Sequence, residues 1–197
     1  MDDVVLRAIA KWPNVPNAYH WLSLDARGQW LLKGDRITNP AVTAFIGRNY
    51  GHDERGRWFF QNGPQRVFVA CDLAPLIFRT ESDGAETTLV AQTGASLRAP
   101  DAVFIDELGR VLFATSLGPG ACDDRDLATL CTRIQDANGS AIDDDRLLRW
   151  LAGEEDFELD MDFGSTRLPV RRVESSRLAA VLSFDPSPAP AAGEPEC

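Results

Sequence analysis

The chain holds two histidines, and one of them, His52, stands directly before Asp53. A histidine beside a carboxylate is the simplest pair for moving protons near neutral pH. The alternative reading of both His20 and His52 is as ordinary surface polar residues. Acyl-transfer chemistry needs a serine on a sharp elbow, and no Gly-x-Ser-x-Gly occurs; Gly94-Ala-Ser96 and Gly164-Ser165 lack that context. Gly118-Pro119-Gly120 precedes a predicted helix at Asp124 but lacks the Lys-Ser/Thr pair of a phosphate loop. Asp123 and Asp124 would repel an anion at that helix start. Asp136-Ala-Asn138-Gly139-Ser140, with Asp143, Asp144 and Asp145 beyond it, has the outline of a calcium loop. Its glycine falls at the fourth loop position instead of the sixth, and no glutamate supplies the bidentate twelfth ligand, so it reads as a helix-ending turn. With no dinucleotide fingerprint and no Cys/His cluster, the sequence assigns no catalytic residue, no cofactor and no metal ligand.

What remains is charge. The formal net charge is −10. Residues 123–162 hold 13 Asp and Glu against four Arg, and 13 minus 4 leaves −9, nearly the whole excess. The residues that would form an acidic face are Asp143, Asp144, Asp145, Asp156, Glu158, Asp160 and Asp162. Such a face fits docking of a cationic ligand or a protein surface. The competing account is helix capping, solvation and ion pairing with Arg167, Arg171, Arg172 and Arg177, which follow at once. An acidic chain argues against nucleic acid and against an anionic membrane surface.

The elements that must position these groups are mostly hairpins. Asp25-Ala-Arg-Gly28, Asp53-Glu-Arg-Gly56 and Asp106-Glu-Leu-Gly109 each lead through one polar residue into an apolar strand start. Aspartate accepts bonds from the turn's own amides, and glycine takes the left-handed conformation that closes it. Strands are expected at 21–24 with 30–33, 57–61 with 66–70, and 102–105 with 110–115. A further pair, 76–80 and 86–91, is joined through Ser82-Asp83-Gly84, and Asn62-Gly63-Pro64 is a turn between 57–61 and 66–70.

Helices are expected from Pro40 to near Gly51 after the Thr38-Asn39-Pro40 start signal, with Val42, Phe45 and Ile46 on one face. Others fall at 124–135, where Leu127, Leu130, Cys131 and Ile134 form a stripe, at 143–151 and at 175–184. Phe157, Leu159, Met161 and Phe163 alternate with acids, the pattern of a half-buried strand. Four of the five Trp precede residue 60, which points to an aromatic core there.

The fold class is α+β: a small hairpin–helix–hairpin unit over 1–72, a β-rich unit with helices over 73–184, and a Pro/Ala tail over 185–197 expected to be disordered. Acidic Asp2 and Asp3 at the start, no apolar run of membrane-spanning length and four scattered cysteines (Cys71, Cys122, Cys131, Cys197) fit a cytoplasmic protein with free thiols.

The N-terminal half resembles the bacterial family of unknown function DUF1285. The matching residues are Gly28, Trp30, Gly34 and Ile37, then Val42 and Phe45, Asp53-x-x-Gly56-Arg57-Trp58, the Gly63-Pro64 turn, and Val67, Val69, Asp72, Ala74 and Pro75. Leu168-Pro169-Val170-Arg171-Arg172-Val173-Glu174 is a fainter echo of that family's C-terminal end. The resemblance implies a small α/β unit followed by a pleckstrin-homology-like barrel closed by a C-terminal helix, and a signalling or ligand-binding role. From these readings the chain is expected to be a non-enzymatic binding or regulatory module acting through a groove between its units or through the acidic face. The alternatives are an enzyme using His52 and Asp53 or the acidic cluster, and a binder of a small ligand or divalent cation.

Overall fold

The computed structural model describes residues 1–83 and 86–194. The chain divides into two compact units. Unit 1 comprises 1–75, 92–94 and the C-terminal segment from 183, and unit 2 comprises 76–91 and 95–182. The fold is mixed α+β, as the sequence predicts.

Unit 1 opens with α1 (Asp3–Lys11), which sequence reasoning missed. Asp3 in its first turn and Lys11 in its last oppose the helix dipole, and Val5 is its buried anchor. There follow β1 (Ala18–Leu24), β2 (Trp30–Leu32), β3 (Asp35–Arg36), α2 (Pro40–Arg48), β4 (Tyr50–His52), β5 (Trp58–Asn62) and β6 (Gln65–Cys71). The six strands form one sheet in the order β3-β2-β1-β6-β5-β4, with only β1 and β6 parallel. Helix α2 begins where Asn39 accepts from the amides of Ala41 and Val42 and Pro40 supplies a preset φ. It stops at Arg48, short of the expected Gly51, because Tyr50 and Gly51 pair instead with Phe60 and Phe59.

Strand β1 does not run straight. His20 has φ 63° and the register to β6 shifts between Ala18 and Leu22, the mark of a bulge. Tyr19 is thereby turned onto Phe68 and Phe59, while Ala18 and Leu22 lie with Val67 and Val69 on the other sheet face. The tryptophans split accordingly: Trp30 and Trp58 are core, whereas Trp12 and Trp21 are exposed.

Unit 2 contains β7 (Leu76–Asp83), β8 (Glu86–Ala91), β9 (Ser96–Leu97), β10 (Ala102–Asp106), β11 (Val111–Ala114), β12 (Gly120–Cys122), a 3-10 turn (Asp124–Asp126), α3 (Leu127–Cys131), β13 (Ile134–Asp136), α4 (Asp144–Ala152), β14 (Leu159–Asp162), β15 (Arg167–Val173), a second 3-10 turn (Ser175–Arg177) and α5 (Leu178–Val181). Its nine strands make one curled half-barrel sheet in the order β13-β14-β15-β10-β11-β12-β7-β8-β9. Phe78, Phe113 and Phe163 meet edge to face inside it, and Ile134, Leu159 and Met161 are fully buried as well.

The helix expected over 124–135 is cut short. Ile134 leaves it to pair with Met161, because a core-facing residue satisfies a strand's inner face as well as a helical stripe. The closing helix likewise reduces to a 3-10 turn and α5, ending at Val181. Gly84 of the expected Ser82-Asp83-Gly84 turn, and the chain end at 195–197, lie outside the described residues.

Residues 185–194 lie within unit 1. Asp185 N–H donates to Gly56 O at 2.9 Å and Pro186 O accepts from Cys71 N at 2.8 Å, so the segment finds backbone partners that its composition does not advertise. No helix among the described residues is long and apolar enough to cross a membrane.

Candidate functional site

The seven carboxylates read as an acidic face occupy three settings in unit 2. Asp143 caps α4 by accepting from Arg146 N at 2.8 Å, and Asp144 and Asp145 follow in the first turn, where the helix dipole favours negative charge. Asp156 and Glu158 border a 500 Å³ cleft with Trp150, Phe157 and Arg172, and Arg172 pairs with Asp156 at 2.8 Å. Asp160 and Asp162 lie on the outer side of β14, opposite Pro169 and Arg167. Others of the acidic segment are neutralised locally: Asp126 takes a two-point bond from Arg79 at 2.7 and 2.9 Å, and Glu155 pairs with Arg149 at 2.7 Å. Asp123 is held by Arg125, whose hydrogen bonds outweigh burial and bring its carboxyl down to about 2.

The calcium-like stretch is a fourth Asp-x-x-Gly turn. Asp136 Oδ1 accepts from Asn138 N and Ser140 N, both at 2.9 Å, and Gly139 has φ 80°. Asp25, Asp53 and Asp106 make the same pair of bonds in their turns. Asp136 therefore closes a turn after β13; no group of three or more His, Cys, Asp or Glu among the described residues has the arrangement to hold a metal ion.

His52 and Asp53 are likewise spent locally. His52 Nδ1–H donates to Asp53 O at 3.0 Å, and its ring lies 5.0 Å from that of Trp58. Asp53 gives one oxygen to its turn and the other to Arg57 Nε at 2.8 Å. Cys71 and Cys122 are buried free thiols, each pushed up to about 12 by desolvation, and so are poor nucleophiles.

Sequence reasoning missed an apolar concave site. In unit 1 an apolar pocket of 280 Å³ lies between α2 and the sheet. Leu22 from β1, Leu32 from β2, Val42 and Ile46 from α2, and Phe60 and Val67 from β5 and β6 form its walls, with Asn62 and Gln65 the polar groups. Trp21, beside the bulge, adds a large aromatic wall. Trp21, Leu32 and Val42 remain 43%, 48% and 43% exposed. Lys33, itself at φ 50°, sets its ammonium 3.8 Å over the Trp21 ring. The signal available in the sequence was the Val42/Ile46 stripe of α2; the bulge that aims Trp21 has no local signature.

In fold, the chain is similar to a solved protein of the DUF1285 family. A DUF1285 family protein from Silicibacter pomeroyi DSS-3 superposes with a TM-score of 0.53 at 15% identity, covering 86% of this chain and 94% of that one. A second, from Shewanella baltica OS155, gives 0.39 at 17% identity over 55% of this chain and 88% of that one. The first likeness, over 86% of this chain, extends beyond the N-terminal half, where the sequence motifs placed it. The chain itself belongs to the family described as Protein of unknown function (DUF2946), whose model matches residues 1–189. No curated protein matches it.

Proposed function

We propose that the protein is a non-enzymatic binding module whose ligand seat is the pocket of unit 1, and that the ligand is a small molecule with a compact apolar body. The observation that carries this reading is the pocket's wall: three large apolar side chains stay about half exposed around a preformed concavity, where a monomer gains by burying them. Its 280 Å³ suits a bicyclic ring, since a cavity of roughly 150 Å³ accepts benzene. The acidic segment supports the reading less well, because helix capping and pairing with Arg172 already occupy Asp143 and Asp156. An enzymatic reading loses its two named residues to local structure, as His52 and Asp53 serve their own turn.

Thermal melting in millimolar indole tests it. A ligand that binds only the folded state raises the midpoint. The midpoint of the wild-type protein should rise, and Val42→Trp, which fills the pocket from an exposed helical position, should remove that rise. An unchanged wild-type midpoint, or a rise that survives Val42→Trp, contradicts it.

A further inference from the structure

A second site in unit 1 already holds an occupant. Glu194 Oε1 accepts from Asn17 Nδ2 and from the Tyr19 hydroxyl, each at 2.6 Å. Its Oε2 accepts from Arg57 Nη1 at 3.4 Å and from Ala191 N at 3.0 Å. Two of the receiving groups are also held by contacts other than the carboxylate. Tyr19 is 2% exposed and stacks on Phe68 at 4.7 Å, with 7° between the rings. Arg57 lies 4.5 Å over the same Phe68 ring, and Asp53 fixes its Nε edge, which leaves Nη1 directed at Tyr19 Oη and Glu194. Asn17 completes the set from the residue before β1. Three donors, from β1 (Tyr19), the residue before it (Asn17) and the end of the Asp53 turn (Arg57), converge on one carboxylate, an arrangement whose chemistry is carboxylate recognition.

The occupant is carried differently. Its segment is anchored at Asp185 and Pro186, and residues 188–190 make no hydrogen bond to the sheet among the described residues. Ala191-Ala192-Gly193-Glu194 then forms a small turn of its own, with Glu194 N donating to Ala191 O at 2.9 Å. The carboxylate is thus presented on a self-contained peptide turn, at the end of a strap held at Asp185, at Pro186 and by the buried Pro188.

We propose that Asn17, Tyr19 and Arg57 form a recognition site for a glutamate side chain borne on a peptide turn, and that Glu194 is its tethered occupant, which an acidic peptide segment of the same kind displaces. The site stands apart from the apolar pocket, and neither inference requires the other. The cradle holds the Glu194 carboxyl down to about 2, first through the Tyr19 hydroxyl, in keeping with a bound anion. A tethered ligand competes at an effective concentration on the order of millimolar, so the intact chain masks the site from dilute peptide.

The test uses the full chain carrying Glu194→Gln, titrated by calorimetry with acetyl-Ala-Ala-Gly-Glu-amide. This variant should bind the peptide saturably and at least about tenfold more tightly than the wild type does. Adding Tyr19→Phe, which keeps the ring on Phe68 and removes only the donor, should weaken that binding about tenfold or more; Asn17→Ala provides the same check should the Phe variant unfold. Sodium acetate should bind far more weakly than the peptide. Equal peptide binding by wild type and Glu194→Gln, no binding by either, affinity indifferent to the loss of both donors, or acetate binding as tightly as the peptide would each overturn the proposal.

Discussion

Asp143 and Asp145 sit two residues apart and do different work. The Asp143 side chain satisfies the Arg146 amide at the start of α4, whereas Asp145 makes no hydrogen bond or ion pair among the described residues. Replacing a capping aspartate by alanine costs about 1 kcal/mol, while an exposed unpaired residue costs within about 0.5 kcal/mol. Urea denaturation of Asp143→Ala and Asp145→Ala should therefore separate them, with only the first midpoint falling clearly. Equal losses would mean that the segment acts as a charged surface and not through its cap. The same distinction explains why a count of carboxylates over-reads function: Asp123, Asp126 and Asp156 look alike in sequence, yet each has an arginine waiting.

At the scale of elements, the four Asp-x-x-Gly turns share one set of backbone and side-chain bonds but differ in what lies beside the glycine. Gly109 has φ 75° and nothing within 4 Å of where a Cβ would stand. Gly56 has φ 72°, and a Cβ there would come 2.5 Å from Ser183 O, where the C-terminal segment passes. Gly109→Ala should cost only the left-handed strain of about 1–2 kcal/mol. Gly56→Ala should cost more and should raise amide exchange at Asp185, whose N–H bonds Gly56 O. Hydrogen exchange with mass spectrometry reads both, and equal behaviour of the two variants would contradict the packing described.

What was legible in the sequence follows the same division. Hairpins with an Asp-x-x-Gly turn, α2 with its Asn39 cap and α4 with Asp143 are set by residues a few positions apart, and the sequence shows them. The β1 bulge at His20, the departure of Ile134 into β13 and the Arg57–Glu194 contact depend on partners up to 137 residues away, which no local period encodes. The fourth Asp-x-x-Gly turn was present in the text as Asp136–Gly139 and was obscured by its likeness to a metal loop.

For the whole molecule, two units carry unequal promise. Unit 2 is a half-barrel whose clefts mix charges: Glu107, Glu174, Arg171, Arg172 and Arg177 all line the 560 Å³ cleft beside β10 and β15. Unit 1 offers an apolar pocket flanked by the β1 bulge and, through the same bulge, the tyrosine of the carboxylate cradle. A bulge re-aims side chains without altering the strand order, which is how one short strand serves both. The most direct measurement is a nitrogen-15 NMR titration of the intact protein with indole. Unit 1 binding predicts saturable shifts at the Trp21 indole N–H and at the amides of Ile37, Val42 and Gln65, all lost in Val42→Trp. Shifts confined to residues 143–162, or none at all, would contradict it.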